Sequence, residues 1–211
     1  MNACRWFTPG LEHGVRPPPL QHPQGQELFD LQNDLLHNKR LAKRGTFDHL
    51  TARASRQQKF FLLIPPLLQY SLSDLMSRVE LADFSGKAVK GRSAVDPDAR
   101  DEDTMEVPSM DSSYMLEGVD YGRDRMGTSP RKCAAEISKE GRRAFTMRQG
   151  IVLAILFPDV LRQHYLEMAG SLVDGCAPGI YTVNFLAVLS AVHTGSTHFF
   201  VGSPSCERIE C

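Results

Sequence analysis

TGSTHFFVGSPSC, residues 194–206, places His198 and Cys206 among glycines, serines and aromatic residues, and it admits two readings. As a strand, it puts His198 and Phe200 on one face and Phe199 and Val201 on the other, with Cys206 packing as a small hydrophobe. As a site, it offers an imidazole able to lower a thiol pKa and carry its proton. His198 and Cys206 stand eight positions apart (206 − 198), so an extended chain holds them far beyond hydrogen-bond reach, and only a bend at Pro204 would join them. The strand reading is therefore the expectation, and it makes the C-terminal part of the chain sheet.

Working outward, HYLEMAGS from His164, GIYTVNFLAVL from Gly179 and HFFVG from His198 are strand-like runs separated by turn residues, a spacing that predicts an antiparallel meander. Upstream lie two helix signatures. GTSPRKCAAEISKEG has Ser129 at an N-cap, Pro130 at the first helical position and Gly141 beyond the end, while TMRQGIVLAILFPDVL has Thr146 and Gln149 at capping-box spacing before an apolar run that Pro158 interrupts. SYMLEGVD from Ser113 and KFFLLIPP from Lys59 read as strands, and SLSDLMSRV from Ser71 reads as a short helix. From Gln26 to Arg44, Leu28, Leu31, Leu35 and Leu36 share a helical face, with acids early and bases late. Thr46 is a possible cap for a short helix carrying Phe47 and Leu50.

These elements predict an α+β fold: a mainly antiparallel sheet with helices packed on one face and an N-terminal helical segment. Residues 1–25, mixed in Pro, Gly, His and Gln without a period, are expected to be a disordered tail, 26–57 the helical segment, and 58–211 the α+β domain. An acidic, solvated loop is expected at about 86–108.

With 24 Lys and Arg against 25 Asp and Glu, the net charge of -1 gives no general attraction to nucleic acid or to an anionic membrane, and neither is expected as a partner. The five cysteines form no Cys-x-x-Cys pair, which argues against a disulfide framework and a structural zinc site and for a reducing, cytoplasmic setting. No secretory signal is read at the N-terminus, and the longest apolar runs fall short of the ~20 residues that cross a bilayer.

Three blocks, YMLEGVDYGRD from Tyr114, GRRAFTMRQGIVLAILFPDVL from Gly141 and GSTHFFVGSPSC from Gly195, resemble an uncharacterised bacterial family defined only as a domain of unknown function. The resemblance runs over about 114–206. It implies a strand, helix, helix, strand order closed by a segment mapping to Gly195, His198, Phe200, Gly202, Ser203, Ser205 and Cys206. Gly118, where an acidic residue is expected, and FLAVLSAV, where a more aromatic run is expected, depart from the pattern. The resemblance implies an architecture and no activity.

Candidate chemistry is sparse. His164, Cys176, His193 and His198 match no metal-ligand spacing, and the acidic run from Asp96 has Asp101 and Val107 where a calcium loop needs Gly and Glu, so no metal is expected. Phosphate-loop, dinucleotide, nucleophile-elbow and zinc-protease motifs are missing, and no cofactor is expected. DYGRDR after a predicted strand makes Asp120 and Arg123 candidate ligand-binding residues, weighed against a turn whose charges pair with each other. The leading expectation is a non-enzymatic intracellular module that binds a protein or a small ligand. The alternative is a thiol-dependent hydrolase or transferase using Cys206 with His198 or His193.

Overall fold

In the computed structural model, which describes residues 21–95, 101–104 and 106–211, helix α1 spans Gly25–Asn38 and buries Leu28, Phe29, Gln32 and Leu36. Leu31, expected on that face, is exposed. The helix stops well before Arg44 because Arg40 takes a left-handed conformation at φ 57°, letting its N–H reach the His37 carbonyl while Leu41 N–H reaches that of Leu36. This is a Schellman closure with arginine where glycine is usual, and the burial of Leu41 accompanies it. Thr46 caps no helix; its hydroxyl closes the preceding loop by donating to the Lys43 carbonyl at 2.7 Å. A 3₁₀ turn at 48–50 leads into α2, Thr51–Ala54.

Residues 1–20 of the expected tail lie outside the described residues, but at 21–25 the chain is already engaged. The His22 ring packs 4.4 Å from Phe60 and 4.8 Å from Phe157, and Gly25 opens α1.

The remaining elements follow in chain order: β1 Phe61–Ile64, α3 Leu72–Met76, β2 Glu80–Ala82, β3 Ala88–Lys90, β4 Arg92–Ser93, β5 Asp101–Asp103 and β6 Tyr114–Glu117. Then come α4 Pro130–Lys139, β7 Arg143–Ala144, α5 Met147–Leu156 and α6 Val160–Gln163. The chain ends with β8 Tyr165–Glu167, β9 Ser171–Val173, β10 Cys176–Val183, β11 Leu186–His193, β12 Val201–Gly202, β13 Ser205–Cys206 and β14 Arg208–Glu210.

The fold is α+β with mostly antiparallel pairing. One sheet runs β12-β8-β10-β11-β4, extended by β9 against β10 and by β5 against β9; another runs β1-β6-β14. All four residues of β1 are buried, and the edge away from β6 is satisfied by a side chain: the Gln32 amide donates to the Phe61 carbonyl and accepts from Leu63 N–H, both at 2.9 Å. A buried strand edge cannot leave such groups unpaired. The expected capping box forms at Thr146 with Gln149, a second forms at Ser71 with Asp74 at the head of α3, and the nearly all-buried α5 packs into one core with α1, β1 and β6.

Three further expectations are corrected. The stretch expected as a solvated loop at 86–108 carries β3, β4 and β5; backbone pairing to β2, β11 and β9 holds these polar segments, with Ser171 Oγ donating to the Asp103 carboxylate. The run GIYTVNFLAVL is two strands, because Asn184 and Phe185, at φ 50° and 64°, form a two-residue hairpin turn of the type that matches strand twist. HFFVG is strand only from Val201; His198 to Phe200 lie in the loop before it.

Residues 201–210 tie the sheets together. β12 pairs in parallel with β8, β13 antiparallel with β7, and β14 antiparallel with β6. Gly122 and Gly202 permit this path: a Cβ on Gly202 would lie 2.2 Å from the Gly122 carbonyl oxygen, and one on Gly122, at φ 85°, would lie 2.4 Å from the Ser203 backbone. Among the described residues no helix is long and apolar enough to cross a membrane.

Candidate functional site

Strand alternation sends Leu166 and Ile180, cross-strand partners on β8 and β10, into the main core, so Tyr165 and Tyr181 face the other side. There they form a separate small cluster with Val201, backed by Val192. Their rings pack at 5.4 Å and 58°. Over this face the loop after β11 turns back, enclosing a cavity of about 350 Å³ lined by Tyr165, Tyr181, Ser190, Val192, Thr197, His198, Phe199, Phe200 and Val201. The lining is mostly hydrocarbon, with the hydroxyls of Ser190 and Thr197 and the His198 imidazole as its polar groups. Phe199 and Phe200 are exposed, 84% and 41%, at the rim.

Beneath the floor lies a carboxyl. Glu167, on the same face of β8 as Tyr165, is 1% exposed, and the Tyr181 hydroxyl donates to its Oε1 across a long 3.4 Å. Burial pushes its pKa up to about 7, the tyrosine hydrogen bond opposing. Gly179 makes the contact possible: a Cβ there would meet the Tyr181 hydroxyl at 2.6 Å.

The residues singled out from sequence fall in different places. His198 lines the cavity. His193, at the exposed end of β11, closes the following turn, its Nδ1 accepting from Gly195 N–H at 3.1 Å. Cys206 is 1% exposed on β13, packed in the main core, and burial pushes its thiol up to about 11. A thiol nucleophile needs an accessible, acidified sulfur beside a base, and here the thiol is buried while both imidazoles are at the surface. Asp120 pairs with Arg125 rather than with Arg123. Its carboxylate accepts from Gly122 N–H and pairs with Arg125, which also pairs with Glu140, while its backbone bridges Ser205. This is the turn of mutually paired charges, with a different arginine, and it anchors β13. His164 is fully buried; its Nε2 donates to the Tyr121 carbonyl at 2.8 Å, and burial lowers its pKa, keeping the ring neutral. Among the described residues, no group of three His, Cys, Asp or Glu side chains is placed to hold a metal ion.

Glu167, Gly179 and Tyr181 were not singled out. The signal was a single acid inside the apolar run HYLEM, two positions from an aromatic on the same strand face.

The chain belongs to a family of unknown function (DUF5701), whose model matches residues 23–176. The match overlaps the expected resemblance over 114–176, extends it back to the start of α1, and includes Tyr165 and Glu167. No curated protein and no solved structure matches the chain.

Proposed function

We propose that this protein is a ligand-binding module whose site is the aromatic-floored cavity between β8, β10, β11 and the loop at 194–200, and that it takes a small, largely apolar molecule. One observation carries the reading: a concave apolar cavity of about 350 Å³ on the sheet face. Small-molecule sites span roughly 300–1,000 Å³ and combine an apolar lining with a few polar groups. The hydroxyls of Ser190 and Thr197 and the His198 imidazole supply such groups. A cytoplasmic setting, supported by the free thiols of Cys133, Cys176, Cys206 and Cys211, is part of the same proposal.

The test is a panel of small aromatic and branched aliphatic compounds, uncharged and cationic, screened on the full chain by thermal melting and confirmed by titration. Binding compounds raise the melting temperature, and Val192→Trp, which fills the cavity from the β11 wall, removes that rise while still melting cooperatively. Unchanged binding to Val192→Trp, or no binder in the panel, overturns the reading.

A further inference from the structure

We infer that the ligand of this cavity is a cation, a small substituted ammonium held against the aromatic rings and balanced by the Glu167 carboxylate. The inference rests on the pocket reading above and adds the charge of its ligand.

The first observation is a buried carboxyl with no built-in counter-charge. Among the described residues no lysine, arginine or histidine pairs with Glu167, and its side-chain hydrogen bond is the long one from Tyr181. Burying a carboxylate without a cation is costly, so such a group is retained either neutral or facing a charge that arrives from outside. The second observation is where that carboxyl lies. Glu167 lies behind the lining rather than in it: Tyr181 lines the cavity, and its hydroxyl reaches the Glu167 carboxyl at 3.4 Å, past the space that a Cβ at Gly179 would crowd. The third is the lining. Tyr165, Tyr181, Phe199 and Phe200 are four of the lining residues, and the negative π surfaces of aromatic rings attract alkylated ammonium groups that shed water readily. No lysine or arginine lines the cavity, so none competes for the place.

The titratable groups facing the Glu167 carboxyl are Tyr181 from β10 and Cys133 from α4, both pushed upward by burial and both neutral at pH 7. A bound cation draws Glu167 toward its ionised form. Affinity for it therefore rises with pH while affinity for an uncharged molecule of the same shape does not.

The experiment titrates the full chain with choline and with its uncharged isostere 3,3-dimethylbutan-1-ol by calorimetry. Choline is expected to bind at least about fivefold more tightly than the alcohol. The preference grows between about pH 6 and pH 8, and in Glu167→Gln it shrinks and no longer changes with pH. If Glu167→Gln fails to fold, the pH arm on the unmodified protein decides alone. Equal binding of both probes, or a preference that ignores pH, overturns the cationic ligand and leaves the pocket reading standing; binding of neither overturns both.

Discussion

From Val201 to Cys206 every residue is buried, serines and proline included, whereas Thr197 to Phe200 immediately before them are exposed although two are phenylalanines. Hydrophobicity alone would assign these regions the other way round. What separates them is backbone pairing. The downstream half finds β8, Asp120 and β7 along its length, while the upstream half is held only near its end, where Tyr165 N–H donates to the Phe200 carbonyl and Val201 N–H to that of His198. The same contrast divides structure from site: the fully paired half holds the two sheets together, and the sparsely paired half supplies the rim of a cavity.

Substitutions should break the two halves differently. The largest effect is expected from Gly122→Ala, which combines a left-handed backbone with a Cβ 2.4 Å from the Ser203 backbone. A loss of about 3 kcal/mol or more is expected in urea unfolding; a loss under about 1 kcal/mol would show that the crossing is not tight.

Next comes Glu167→Gln, through pH. The carboxyl has its folded pKa raised to about 7, so its contribution to stability is fully present below its ordinary value of 4.5 and is lost as pH rises through 7. The upper bound is roughly 3 kcal/mol, from about 1.36 kcal/mol per pKa unit. His164, with its pKa lowered, acts in the opposite sense, its stability lost as pH falls, so the difference between Glu167→Gln and the unmodified protein isolates the carboxyl. That difference should widen in favour of the variant between about pH 5 and pH 8. Parallel stability curves would mean that Glu167 is not raised.

A smaller contrast concerns the thiols. Cys206 should resist alkylation at neutral pH in the folded protein while Cys211, exposed at the terminus, reacts; comparable rates would place the Cys206 sulfur outside the core. Smallest in stability is Phe199→Ser, expected to shift unfolding by no more than about 0.5 kcal/mol because the side chain is solvated. A larger loss would mean that the rim phenylalanine helps to hold the fold.

Much of the fold is legible in the sequence where local chemistry decides it. The Thr146 capping box, the short helix starting after Ser71, Pro130 at the head of α4, and the apolar strands β1 and β6 all form where composition and spacing place them. What escapes is decided at a distance. Asp101–Asp103 carries no strand signal of its own and is extended because β9 lies beside it. Phe185 occupies a turn position that glycine usually fills, its ring packed 4.4 Å from Phe84 of another hairpin. Arg40 likewise ends α1 where glycine would be expected, with Leu41 buried just beyond it. The cavity is illegible for the same reason, since Tyr165, Tyr181 and Ser190 meet only through sheet register.

The most direct test follows backbone amide shifts of the full chain by NMR during a choline titration. Shifts are expected to concentrate at Tyr181, Ser190, Val192 and Thr197 to Val201 and to leave Ser205 to Glu210 unmoved. Shifts centred on Cys206 and Arg143, or on none of the cavity residues, would contradict the division between a structural clasp and a binding rim.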